Sequence, residues 1–101
     1  MFRGNTPLMK VDGGYIAITH KVFNGGEYGK TYVNYLIRYD EGLKPTKVSL
    51  PFKLTDRPIE FATTMIELPE NKVLIGVTET DEIPYLMLFD KERLLCSVNM
   101  S

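Results

Sequence analysis

Cysteine is nearly missing from this chain: Cys96 is the only one in 101 residues. Alone, it forms no internal disulfide, which suits a reducing, cytoplasmic compartment. It lies in the apolar stretch RLLCSV (93–98), where nothing nearby would lower a thiol pKa, so it is expected as a small buried hydrophobe. Histidine is equally scarce. His20 has no second histidine and no cysteine at ligand spacing, so neither a metal site nor a cofactor is expected. Charge of one sign is lacking too: 12 basic against 13 acidic side chains leave a net charge of -1, and no general pull toward nucleic acid or anionic membrane follows. No apolar run approaches the roughly 18 residues of a membrane-spanning helix, and MFRGNTPLMK has no apolar core of a secretory signal. No segment holds a helical period over about eleven residues.

What remains is strand signal, in a chain whose length fits one domain, residues 1–101. YIAITHKV (15–22) alternates, with Ile16, Ile18, His20 and Val22 on one face. TYVNYLIRY (31–39) sets Val33, Tyr35, Ile37 and Tyr39 against Asn34 and Arg38. IEFATTMIEL (59–68), KVLIGVTE (72–79) and IPYLMLFD (83–90) are β-branched and aromatic, as strands covered from two sides are. RLLCSV (93–98) is one more short candidate, with a helical turn or two over DKERLLCSV as the alternative. TPLMKV (6–11) and TKVSLPF (46–52) are weaker, since proline confines each to an edge or an end. VDGGY (11–15) carries the Asp-Gly pair of a primed hairpin turn, PENK (69–72) and DKER (90–93) are tight links, and the glycine-rich FNGGEYGK (23–30) reads as a mobile surface loop. The expectation is an all-β fold of two antiparallel four-stranded meanders, 6–52 and 59–98, joined through LTDRP (54–58). Such a pair is either two adjacent propeller blades or a small β-sandwich.

The order of motifs carries a family likeness. RGNTPLMKVDGGYIAITHKV, YVNYLIRYDEGLKPTKVSLPFKL and IEFATTMIELPENKVLIGVTETDEIPYLMLFD together resemble the C-terminal part of the five-bladed β-propellers of the β-mannoside phosphorylase and hydrolase family, closest to those that accompany some bacterial glycosyltransferases. The matching positions are Arg3, Gly4, Thr6 and Pro7, then Asp12 through Tyr15, His20, Tyr39, Asp40, Leu43, Pro51, Phe52 and Ile59 through Ala62. The departures are Asn34 and Tyr35 in place of a basic pair, a loose fit at GVTETD that makes Asp81 the counterpart of the family's carboxylate, and the lack of the blade with the catalytic aspartate. The resemblance implies about two blades of a ring, with apolar faces that further copies of the chain would cover.

Four residues are candidates for chemistry. Arg3 has the guanidinium fork that grips phosphate or vicinal hydroxyls. His20 hydrogen-bonds near neutral pH and corresponds to a residue near the family's substrate. Glu60 is read as pointing into water or a central channel, and Glu79 as exposed. Glu60 and Asp81 are the pair nominated for catalysis, because glycoside hydrolysis needs two carboxylates about 5–9.5 Å apart. Against each stands a structural reading: a core histidine, a terminal arginine, solvated acids, and tyrosines (Tyr15, Tyr32, Tyr35, Tyr39, Tyr85) that pack rather than stack on sugars. The expected function is a non-catalytic module that binds a saccharide or sugar phosphate through Arg3, His20 and Glu60, or that assembles with itself. The alternatives are an oligomeric glycosidase-like enzyme and a protein–protein interaction module.

Overall fold

The computed structural model describes residues 2–24, 29–55, 57, 59–79 and 83–99. The fold is all-β with two antiparallel sheets and one short helix. The first sheet holds β1 (Phe2–Asn5), β2 (Met9–Val11), β3 (Gly14–Asn24), β4 (Lys30–Asp40) and β5 (Pro45–Val48). Strands β1 and β2 lie one after the other along the same edge of β3, so the sheet is four strands wide, in the order β1-β3-β4-β5 with β2 beside β3. The second sheet is the meander β6 (Glu60–Leu68), β7 (Lys72–Glu79), β8 (Ile83–Asp90), and α1 (Lys91–Asn99) follows directly.

Long apolar alternation explains the central hairpin. β3 and β4 pair without a break from Gly14↔Asp40 to Asn24↔Lys30. The residues between them that complete the glycine-rich loop, 25–28, lie outside the described residues. The turn after β2 is tight, with Val11 opposite Gly14. It has left-handed backbone at Gly13 (φ 83) but not at Asp12, whereas the expected primed turn takes it at the first central residue. Arg38 secures it, donating from Nη2 to the Asp12 carbonyl at 2.6 Å. Gly14 has no room for a side chain: a Cβ there would sit 1.9 Å from the Tyr39 carbonyl oxygen.

The two weaker strand candidates are shorter than read. Only 9–11 and 45–48 are ladder strands, and side chains take over where proline interrupts. Thr6 donates its N–H to the Ile18 carbonyl and accepts the Ile18 N–H on its hydroxyl, both at 2.9 Å. Ser49 does the same to Leu36, at 2.8 and 2.9 Å. Ile18 and Leu36 are themselves cross-strand partners, so Thr6, Ile18, Leu36 and Ser49 form one continuous row. The Thr-Pro pair near the N-terminus thus shapes the edge of the sheet.

One core cluster draws on both sheets and the helix: Met9, Val11, Ile16, Ile18 and Leu36 from the first, Ala62, Met65, Val73, Ile75 and Val77 from the second, Leu94 and Val98 from α1. The side of β4 that meets this core carries Asn34 and Leu36. Val33, Tyr35, Ile37 and Tyr39 face away, because Ile18 and His20 of β3 fix the register at Leu36 and Asn34. In β6 an extra residue, Thr63, bulges between Ala62 and Thr64, opposite Val77 and Gly76.

Two expectations are corrected at the C-terminal end. Residues 93–98 are helical, so the second sheet has three strands among the described residues rather than four. Leu94 and Val98, one turn apart, face the core, and Glu92 in the first turn suits the helix N-terminus. Cys96 is exposed, not buried, since it projects from the helix between two inward positions.

Candidate functional site

Polar chemistry concentrates at one end of the sheet pair, where β6 begins. Glu60 is fully buried. Its Oε2 accepts from Leu54 N–H at 2.5 Å and from Asn34 Nδ2 at 2.7 Å. Its Oε1 accepts from Thr55 N–H at 2.9 Å and the Thr55 hydroxyl at 2.8 Å, and lies 2.9 Å from Lys53 Nζ. Burial pushes this carboxyl upward, but the Leu54 N–H, the Lys53 ammonium and both Thr55 donors more than offset it, and the pKa lies below its ordinary value. Glu60 therefore points neither into water nor into a channel. The segment 53–55 folds back over it and fills its lone pairs.

The nominated binding residues converge on this end. Arg3 is the cross-strand partner of His20, His20 of Asn34, and Asn34 is bridged to Phe52. They form a second row beside the Thr6 row, and Asn34 links it to Glu60. The His20 ring stacks on Tyr32 with centroids 5.2 Å apart and planes 17° apart, and Phe61 leans against it at 5.8 Å. Asn34 is fully buried, and its Oδ1 has no partner while its Nδ2 serves Glu60. Flipping the amide would set oxygen against carboxylate, so the Glu60 contact fixes this orientation.

Of the acids, Glu60 and Glu79 are not placed as read. Asp81 lies outside the described residues. Glu79 is buried, not exposed, and stands directly across from Glu60, with its Oε2 3.6 Å from Arg57 Nε. Each carboxylate of this pair has its own cation. Asn34 and Glu79 were missed as members of the cluster. A lone amide on a strand face otherwise running to Leu36 was the visible signal for the first, and strict alternation from Val77 was the signal for the second.

A second feature lies between the segment after β5, strand β8 and the helix. A cavity of about 450 Å³ is walled by Phe52, Leu54, Met87, Phe89 and Leu94. Arg93, Lys53, Ser49 and Ser97 contribute the polar part of its lining, and no acidic residue among the described ones lines it. Glu60 holds one wall, because its partners Lys53 and Leu54 belong to that wall.

No protein-family model, curated protein or solved structure matches the chain. Among the described residues, no three of His, Cys, Asp and Glu are grouped to hold a metal ion, and no helix is long and apolar enough to cross a membrane.

Proposed function

We propose that the protein is a non-catalytic assembly module of propeller-blade type, a homo-oligomer whose copies meet through the outer face of the second sheet. The observation that carries this reading is the composition of that face. Register places Ile66, Leu74 and Leu88 in one row and Thr64, Gly76 and Leu86 in the next. Ile66 is 48 % exposed, Leu88 59 % and Leu86 71 %. The inner face already closes a core, so these side chains have no partner sheet within the described chain. A grouped apolar patch of this kind marks an association surface.

A second copy fits better than a charged partner. Among the described residues, the ionic groups on this face are Lys72 and Asp90, cross-strand neighbours that pair with each other. Two copies therefore meet without like-charge cost. Three strands of eight or nine residues span roughly 26 by 14 Å, about half of the ~800 Å² per partner of a standard interface. The association is thus weak and concentration-dependent. Light scattering after size exclusion is expected to give a mass that rises with protein concentration, and the double variant Leu86→Lys/Leu88→Lys is expected to stay at 11.5 kDa. A wild type that remains monomeric at millimolar concentration sinks the proposal.

The ring cluster of His20, Tyr32 and Phe61 favours a second reading, a weak saccharide or sugar-phosphate site on the Arg3–His20 row. Glu60 has no acceptor capacity left for a sugar, and its lowered pKa is the opposite of what a general acid needs. This supports binding without turnover. A thermal-shift panel of sugars and sugar phosphates tests it, with aryl mannoside turnover as the check on catalysis: stabilisation by a sugar that is lost in His20→Ala supports the reading, and a flat panel removes it.

A further inference from the structure

The cavity between residues 49–54, β8 and α1 has chemistry distinct from both readings above. Met87 and Phe89 line it, and these alternate along β8 with Leu86 and Leu88, so the cavity and the association patch occupy opposite faces of the strand. Its volume of about 450 Å³ falls within the roughly 300–1,000 Å³ of small-molecule sites. At ~30 Å³ per water-sized group it has room for roughly fifteen such groups. The body is apolar: two phenylalanines, a methionine and leucines.

The polar part of the lining is cationic. Lys53 contributes its stem, while its Nζ is committed to Glu60 and to the carbonyls of Tyr32 and Arg57, 2.8 and 2.7 Å away. Arg93 supplies the charge available to a ligand. On its other side Arg93 borders Glu70, Asp90 and Glu92, of which Asp90 is already hydrogen-bonded to Lys72. Ser97, one helical turn from Arg93 on the same lining, has its hydroxyl donated to the Leu94 carbonyl at 2.7 Å, so the headgroup contact falls to Arg93. Arg93 is exposed at the cavity's rim, where a carboxylate headgroup gains a charge-assisted pair that an uncharged or cationic headgroup does not.

We propose that this cavity binds a medium-chain carboxylic acid, its hydrocarbon tail among Phe52, Leu54, Met87, Phe89 and Leu94 and its carboxylate on Arg93. Arginine presents two parallel donors that match a carboxylate. The His20 ring is not part of the lining, Asn34 touches the site only through its backbone pairing with Phe52 and its bond to Glu60, and no second copy of the chain is required.

Three probes of one tail length test it by calorimetry and amide NMR: dodecanoate, dodecanol and dodecyltrimethylammonium, each below its micelle concentration. Dodecanoate is expected to bind saturably, with shifts confined to residues 49–54, 87–89 and 93–97, and at least tenfold more tightly than the other two, about the discrimination one charge-assisted pair supplies. Arg93→Gln is expected to weaken dodecanoate about tenfold and leave dodecanol unchanged. Ser97→Trp, a substitution at an exposed helix position, is expected to fill the cavity and abolish binding while the circular dichroism spectrum stays that of the wild type. Equal affinity for all three probes, shifts centred on Leu86 and Leu88, or no binding overturns the proposal. So does a set of cavity shifts that appears on raising protein concentration alone, which would make the occupant another copy of the chain.

Discussion

Glu60 illustrates how far a single residue's role depends on partners distant in sequence. An acid within a β-branched strand is visible as an anomaly, and its alternation with Ile59 and Phe61 is visible too. What is not visible is that Lys53, Leu54 and Thr55 turn back to meet it and that Asn34 arrives from another strand. The anomaly was legible and its resolution was not, because loop conformation leaves no periodic trace. The depressed pKa sets the sign of a pH effect. A group ionised more readily in the folded state contributes stability that is full above its unfolded pKa, about 4.3, and is lost as pH falls through the lower folded value. Acid titration of denaturant stability is therefore expected to fall steadily below about pH 4.3. In Glu60→Gln that slope should flatten, with a loss on the order of 2–3 kcal/mol at neutral pH, since a substitution that supplies an NH2 to the Thr55 or Leu54 donor breaks charge-assisted bonds. An unchanged acid limb in the variant would show that other carboxylates govern it.

At the scale of elements, alternation marks the long strands well: β3, β4, β6, β7 and β8 each lie where apolar and polar residues repeat by two, or where β-branched residues run on. The misreading of 93–98 has a definite cause. In a six-residue apolar run the two periods are hard to separate: Leu94, Cys96 and Val98 share a strand face, while Leu94 and Val98 share a helix face that leaves Cys96 out. Asp90 immediately before the segment and Glu92 within its first turn were the signs in favour of helix. The two periodicities make opposed predictions for substitutions. Leu94→Ala is expected to cost about 2–4 kcal/mol by opening a void in the core, whereas Cys96→Lys is expected to change stability by less than about 0.5 kcal/mol. Urea denaturation reads both. The native thiol should also react with a small aromatic disulfide without added denaturant, as an exposed side chain does. A large loss in Cys96→Lys would restore the strand. The cavity beside this helix was illegible for a related reason: its walls come from three separate segments, and only packing assembles them.

For the whole molecule, the decisive fact is that the two sheets share one core. The radius of gyration, 13.4 Å, is close to the ~13 Å of a compact chain of about 100 residues, so the sheets are not splayed. Ile16 and Leu36 on one side and Val73, Ile75 and Val98 on the other are completely excluded from water. Neither sheet retains an apolar interior without the other, and they should therefore unfold as one unit. Assembly through the outer face then adds to a subunit that already stands, rather than completing one that does not. Native-state hydrogen exchange tests this directly. Amides of β3, β4 and β7 are expected to exchange with one common free energy, equal to that of global unfolding, in the range of about 5–15 kcal/mol for small domains. Strand β5, whose four residues are all exposed, should open at much lower cost. Raising protein concentration should protect the outer-facing stretch of β8 further while leaving the common value for β3 and β4 unchanged. If β7 opened several kcal/mol below β3 at low concentration, and reached parity only at high concentration, the second sheet would depend on a neighbouring copy for its stability, and the self-contained core would be the wrong description.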